Sequence, residues 1–379
     1  MCIGCIFLMP VFSQTDSTKL GVKKHIIVLD HDSNYVFQKI QTSDASDSLE
    51  HPTLTIGGYV STYYAYYDDE NSKGEFVQFP TICPRNNQFN LNMAMISLKY
   101  NSKHLRSNLT FHYGDIPQST WPTEFNLIQE ANVGYKIAKR FWFDAGFFKT
   151  HIGIESFQPR ENITSSMAIL SFYEPYYLSG AKLTYAVNSK LSFMVGAFNG
   201  YNEYIDNNKD KMFGFTTVYR ANDHLSFTYN FLTCDESPDK DPIKRRRYYN
   251  NFYAAYVVQH WQIGIEANYG TQDNSLLSDP TKRADVLSGL IVGKYRFAKK
   301  YSLYARQEYF ADPNKILSFD NNIGNRIIGT TGGFEFHPFN NLSMSLESRV
   351  LRSDNLIFKQ GSFYTNQRLE FIACVDLWF

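Results

Sequence analysis

From Leu54 onward, apolar and polar residues alternate in runs of about ten residues that recur to the end of the chain. Leu105, Ser107, Leu109, Phe111 and Tyr113 oppose Arg106, Asn108, Thr110 and His112. Trp261, Ile263, Ile265, Ala267 and Tyr269 oppose Gln262, Gly264, Glu266 and Asn268. In the last run Leu369, Phe371, Ala373, Val375, Leu377 and Phe379 oppose Arg368, Glu370, Ile372, Cys374, Asp376 and Trp378. Successive side chains of a strand point to opposite faces, so each run predicts a strand with one apolar and one mostly polar face. The first two strands are less clean, with apolar residues on both faces near Met93 and Ile96.

The predicted strands are Leu54–Tyr67, Gln88–Tyr100, Leu105–Tyr113, Leu127–Ile137, Phe141–Thr150, Tyr177–Val187, Leu191–Gly200 and Phe213–Tyr219. The second half continues with Leu225–Thr233, Tyr248–Val258, Trp261–Gly270, Val286–Phe297, Tyr301–Phe310, Arg326–Phe336, Leu342–Leu351 and Arg368–Phe379. The gaps between them alternate long and short. A polar second face suits either solvent around a soluble sandwich or a wet lumen, so alternation alone does not choose. A sandwich has no reason to keep the long–short rhythm over its whole length. The expected fold is therefore all-β, a transmembrane up-and-down antiparallel barrel of about 16 strands over residues 52–379, with short periplasmic turns and long external loops.

Composition sharpens this. The 31 Phe, 27 Tyr and 4 Trp make 16% of the chain, and aromatic girdles at two membrane rims are one use for them. Net charge is zero, which gives no reason to expect nucleic acid as a partner. Residues 1–13, apolar from Ile3 to Phe12, read as a signal peptide without a basic start. Residues 14–51 read as a partly disordered periplasmic lead-in, in which His25–Asp30 has the pattern of a strand. The three cysteines after the signal are too few for a disulfide scaffold; Cys83 and Cys234 both fall in expected loops and could pair, and Cys374 falls on the last strand.

The inward rows carry both signs. Arg106, Lys182, Arg306, Arg349 and Arg368 face Glu130, Glu266, Glu308, Glu347 and Glu370 as expected pore-lining residues, with His112 the one histidine well placed on a strand. Balanced charge argues against strong ion selectivity. The longest gap, 151–176, carries Phe157, Met167, Ile169, Leu170 and Phe172, which need burial, so it is expected to fold inward and narrow the lumen. No G-x-S-x-G or H-E-x-x-H motif marks an enzyme, and no cofactor is called for. His151, Glu155 and Glu161 admit a metal, though solvated loop side chains are the simpler reading. The run Lys244–Arg247 suits phosphate on lipopolysaccharide, with Asp235, Glu236, Asp239 and Asp241 near enough to neutralise it.

Several stretches, in order, look familiar: QFNLNMAMISLKY (88–100), IQEANVGYKIAKRFWFDAGFFKTHIGIES (128–156), PYYLSGAKLTY (175–185), NGYNEYIDNNKDKMFGFTTVY (199–219) and RRRYYNNFYAAY (245–256). They resemble the OmpL-like β-barrel porins of Bacteroidetes-type outer membranes. The terminal Phe379, closing its strand, resembles the assembly signal of outer-membrane barrels. The resemblance implies an outer-membrane pore for small hydrophilic solutes. Its expected partners are membrane lipid, lipopolysaccharide and the barrel assembly machinery, with room for a homo-oligomer. A sealed structural or ligand-binding barrel is the alternative, and an outer-membrane enzyme a more distant one.

Overall fold

The computed structural model describes residues 26–29, 51–69, 76–77, 79–318 and 325–379. The signal peptide expected over residues 1–13 and nearly all of the 14–51 lead-in lie outside them. Within that lead-in the run expected as a strand is β1 (Ile26–Leu29), which pairs parallel with Thr53–Ile56.

The first half of the barrel comprises β2 (Thr53–Tyr67), β3 (Gln88–Asn101), β4 (Leu105–Tyr113), β5 (Ile128–Ala138), β6 (Phe141–Lys149), β7 (Tyr177–Ala186), β8 (Leu191–Phe198) and β9 (Met212–Arg220). The second half runs through β10 (Leu225–Asp235), β11 (Arg246–Val257), β12 (Trp261–Gln272), β13 (Ala284–Ala298), β14 (Tyr301–Asp312), β15 (Asn325–Phe339) and β16 (Leu342–Ser353). A small hairpin, β17 (Phe358–Gln360) and β18 (Phe363–Thr365), interrupts the last loop before β19 (Gln367–Trp378). Each barrel strand pairs antiparallel with its sequence neighbour. β19 pairs with β2 from Glu370↔Tyr67 to Trp378↔Tyr59, closing a 16-strand barrel among the described residues.

The wall is inside out compared with a soluble sheet. Leu105, Phe111, Val133, Phe143, Val195, Ile265, Leu287, Leu346, Phe371 and Val375 point outward and are exposed, while the polar rows point inward and are largely buried. Soluble proteins seldom expose so much contiguous apolar surface; a lipid-facing wall requires it. Outward aromatics gather at both rims. Trp261 stacks on Tyr295 with centroids 4.5 Å apart, and Tyr301 on Phe336 at 5.0 Å, at the short-turn rim. Tyr64 and Phe89 meet at 5.0 Å at the other. No helix among the described residues is long and apolar enough to cross a membrane; the strands cross it.

Two short helices, α1 (Asp115–Thr120) and α2 (Ile169–Tyr173), belong to loops that fold inward. The mixed pattern on β3 has its cause here. Met93 faces the interior, in one buried cluster with Tyr59, Ile116 of α1 and Trp121, while Ile96 faces outward. Cys234, expected in a loop, instead lies near the end of β10 in the main buried cluster, and Cys83 sits in a separate cluster with Cys374. Cys83 and Cys234, which the sequence left able to pair, therefore lie apart in separate clusters.

Candidate functional site: the lumen and its inward loop

The loop between β6 and β7 enters the barrel. Its base is pinned by Thr150 N–H donating to the Tyr176 carbonyl at 3.1 Å. A buried backbone must find partners for its N–H groups, and here wall carboxylates supply them. Glu266 accepts from Ile154 N–H at 2.9 Å, Glu347 from Ser165 and Ser166 N–H at 2.7 and 3.0 Å, and Glu308 from Ile169 N–H at 2.8 Å. Asn251 accepts from Gly153 N–H at 3.2 Å. Gly153 has φ +78°, and a Cβ there would lie 2.1 Å from Glu174 Oε2, so this entry turn needs glycine. The apolar residues Phe157, Met167, Ile169 and Leu170 are all buried, as burial of the loop demands.

Arg306 is the centre of the contact. Its guanidinium donates to Glu155 Oε1 at 2.8 Å, Thr164 Oγ1 at 2.7 Å, and both the carbonyl and hydroxyl of Ser166 at 2.8 Å. Glu308 next accepts from Arg349 Nη2 at 2.6 Å, and Arg349 Nη1 reaches Glu370 at 3.4 Å. Arg368 lies 3.1 Å from Glu370 and 3.2 Å from Asp69, with its guanidinium over the rings of Tyr67 and Phe79. The side chains of Arg306, Arg349 and Arg368 are all 0% exposed. Charges this deep persist only when paired and hydrogen-bonded. Of the residues expected to line the pore, Glu266, Arg306, Glu308, Glu347, Arg349, Arg368 and Glu370 thus face inward but lie beneath the loop or in its charge network.

The opposite wall differs. Arg106 keeps 33% of its side chain exposed while forked onto Asp144 at 2.6 and 2.5 Å. Glu130 accepts from Asn108 at 2.6 Å, and Lys182 lies 4.1 Å over the Phe148 ring; both are half-buried. Lys149 and Glu161, paired at 2.7 Å, remain 27% and 22% exposed where the loop faces this wall. His112 is buried, edge-on to Trp121 with centroids 4.7 Å apart and 3.3 Å from Gln129.

The suggested metal grouping separates: His151 stacks near Phe198, Glu155 binds Arg306 and Glu161 binds Lys149. Among the described residues no group of His, Cys, Asp or Glu gathers as a metal site. The basic run is neutralised in part, by Asp241 on Arg245 and Asp210 on Arg246, and its Lys244 and Arg246 border an external groove of about 990 Å³. Beyond the barrel wall, burial and the neighbouring Glu236 and Asp206 push the carboxyl of Glu203 up to about 7.

A family model described as "Putative beta-barrel porin-2, OmpL-like" matches residues 53–376. The chain belongs to this family. No curated protein sequence matches it. Solved structures resemble this OmpL-like barrel in fold. A loop L8 deletion mutant of OmpT, an outer membrane protein of Vibrio cholerae, is 12% identical, with TM-score 0.59 over 86% of this chain and 99% of that one. The outer membrane channel DcaP of Acinetobacter baumannii is 12% identical, with TM-score 0.58 over 86% and 97%. The anion-selective porin from Comamonas acidovorans is 9% identical, with TM-score 0.57 over 87% and 100%. Family and fold place the barrel in the outer membrane as a porin-like protein.

Proposed function

We propose that the barrel is a non-enzymatic channel for passive diffusion of small hydrophilic solutes, narrowed by the 151–176 loop to a passage along the β4–β7 wall. One observation carries this reading. The loop leaves Arg306, Glu308, Arg349, Arg368 and Glu370 on the β14–β19 side with at most 1% of their side chains exposed, yet Arg106 on the opposite wall keeps 33% and Glu130 and Lys182 are half-buried. Such a passage carries Arg106, Glu130 and Lys182 on its wall and Lys149 and Glu161 on its loop side. Both signs are present, which suits neutral or weakly charged solutes. The apolar outer surface meets lipid, lipopolysaccharide or neighbouring copies, and the closing strand with Phe379 is what the assembly machinery engages.

Planar-bilayer recording tests the reading. The native protein conducts, and Lys182→Glu shifts the reversal potential toward cations, most clearly at low salt where screening is weakest. A folded native protein that never conducts leaves the sealed barrel as the better account. A conducting Lys182→Glu variant with unchanged selectivity moves the passage away from this wall.

A further inference from the structure

Cys83 and Cys374 come from opposite ends of the barrel sequence and meet at its seam. Cys374 lies on the inward row of β19, opposite Tyr63 of β2. Cys83 lies in the loop between β2 and β3, which folds back onto the same place. Tyr67 Oη donates to the Cys83 carbonyl at 2.6 Å, and Arg85 N–H donates to Tyr63 Oη at 3.0 Å. These two contacts hold the Cys83 segment against Tyr63, which stands opposite Cys374, and Tyr67 further along β2, and Thr81 Oγ1 accepts from Cys83 N–H at 3.1 Å. Both thiols are buried, at 0% and 2% exposure, within one cluster with Tyr63, Ala65, Tyr67 and Ile372. The neighbouring Cys374 thiol, with burial, pushes the Cys83 thiol up.

An outer-membrane chain crosses an oxidising compartment, where adjacent thiols are converted to disulfides. We propose that Cys83 and Cys374 form a disulfide that ties the first external loop to the last strand across the closing seam. The oxidant is a disulfide-bonded thiol oxidant of the periplasm. The thiolate of one cysteine attacks the oxidant's disulfide, releasing one oxidant thiolate and leaving a mixed disulfide. The second cysteine, its proton passing to that released thiolate, attacks the mixed disulfide and expels the other oxidant sulfur as a thiol. Two protein thiols and one oxidant disulfide thus become one protein disulfide and one oxidant dithiol. Burial of both sulfurs sets the order of events: exchange takes place before the loop seats, as β19 comes up to β2. Cys234 sits in another cluster and takes no part.

Peptide mapping of protein extracted from outer membranes decides the matter. The protein is alkylated in denaturant without reductant and digested with trypsin. The expected product joins residues 74–85 to residues 369–379, is lighter than the two peptides together by two hydrogens, and separates on reduction. Cys234→Ser keeps it; Cys83→Ser and Cys374→Ser abolish it. The wild-type map needs no variant to fold. Recovery of both peptides singly alkylated from protein that is heat-modifiable on gels overturns the proposal, and so does a bridge from either residue to Cys234.

Discussion

Replacing Arg306 by methionine keeps an unbranched stem and removes the guanidinium whose charge holds the inward loop. The loss falls unevenly. Glu308 retains Arg349 at 2.6 Å, and Glu347 retains its two backbone donors. Glu155 loses its guanidinium partner and keeps the Ala168 N–H at 2.6 Å, and the Ser166 carbonyl loses its charged donor. Removing one partner from a buried ion pair costs about 3–5 kcal/mol, because the other charge is left in a dry site. The surviving Arg349–Glu308 pair argues for the lower end, about 3 kcal/mol. If the loop leaves the wall and Glu155 reaches water, the docking equilibrium shifts by roughly two powers of ten. Two assays read this. Single-channel conductance rises or becomes noisy in Arg306→Met, and trypsin cuts after Arg160, which the docked loop holds against Tyr59 and Trp378. Adding Glu155→Gln to the same protein recovers part of the loss, since no bare charge then remains. A heat-modifiable Arg306→Met barrel with native conductance and native trypsin resistance refutes the argument that this guanidinium holds the loop.

Two further perturbations probe the rim and the external loops. Phe379 exchanges backbone hydrogen bonds of 2.8 and 3.0 Å with Gly58, and a Cβ at Gly58 would lie 2.1 Å from its ring, so Gly58→Val and deletion of Phe379 should each lower the yield of heat-modifiable barrel in cells; native yields from both would remove any assembly role for this contact. Glu203, raised by burial and by Glu236 and Asp206 to about 7, binds more protons folded than unfolded between its ordinary value and that point. The loop around it is therefore steadier at acid pH and loosens as pH rises toward 7; Glu203→Gln abolishes this dependence, and a carboxyl resonance of Glu203 titrating at its ordinary value would contradict the assignment.

The strand pattern was open to reading because a membrane barrel must alternate along every crossing, whatever its loops do. Expected ends fall close to the observed ones: Leu105–Tyr113 is unchanged, and Val286–Phe297 widens to Ala284–Ala298. What the alternation could not report is whether an inward row meets water or protein. Arg306, Glu308, Glu347 and Arg349 have the same period as Arg106, yet only the latter stays open to solvent. The difference lies in main-chain donors of the 151–176 loop, and every residue but proline has one. The apolar residues of that loop did signal its burial, but not which carboxylates would receive it. Cys83 stands 291 positions from Cys374 in the chain, so only closure of the barrel reveals them as neighbours.

The loop is gripped largely by its peptide groups, with Arg306 the main side-chain tie. Glutamates 266, 308 and 347 read N–H groups, which are common to nineteen of the amino acids. The loop is therefore a replaceable filter on a fixed mount. Its partly exposed side chains on the side away from the anchoring glutamates, that of Glu161 among them, can be rewritten to suit a different solute without loosening those main-chain contacts. At the anchoring positions 154, 165, 166 and 169 the main-chain contact itself excludes only proline; burial of Ile154 and Ile169 and the hydroxyls of Ser165 and Ser166, bound to Ser345 and Arg306, set the rest, while Gly153 remains fixed by its turn.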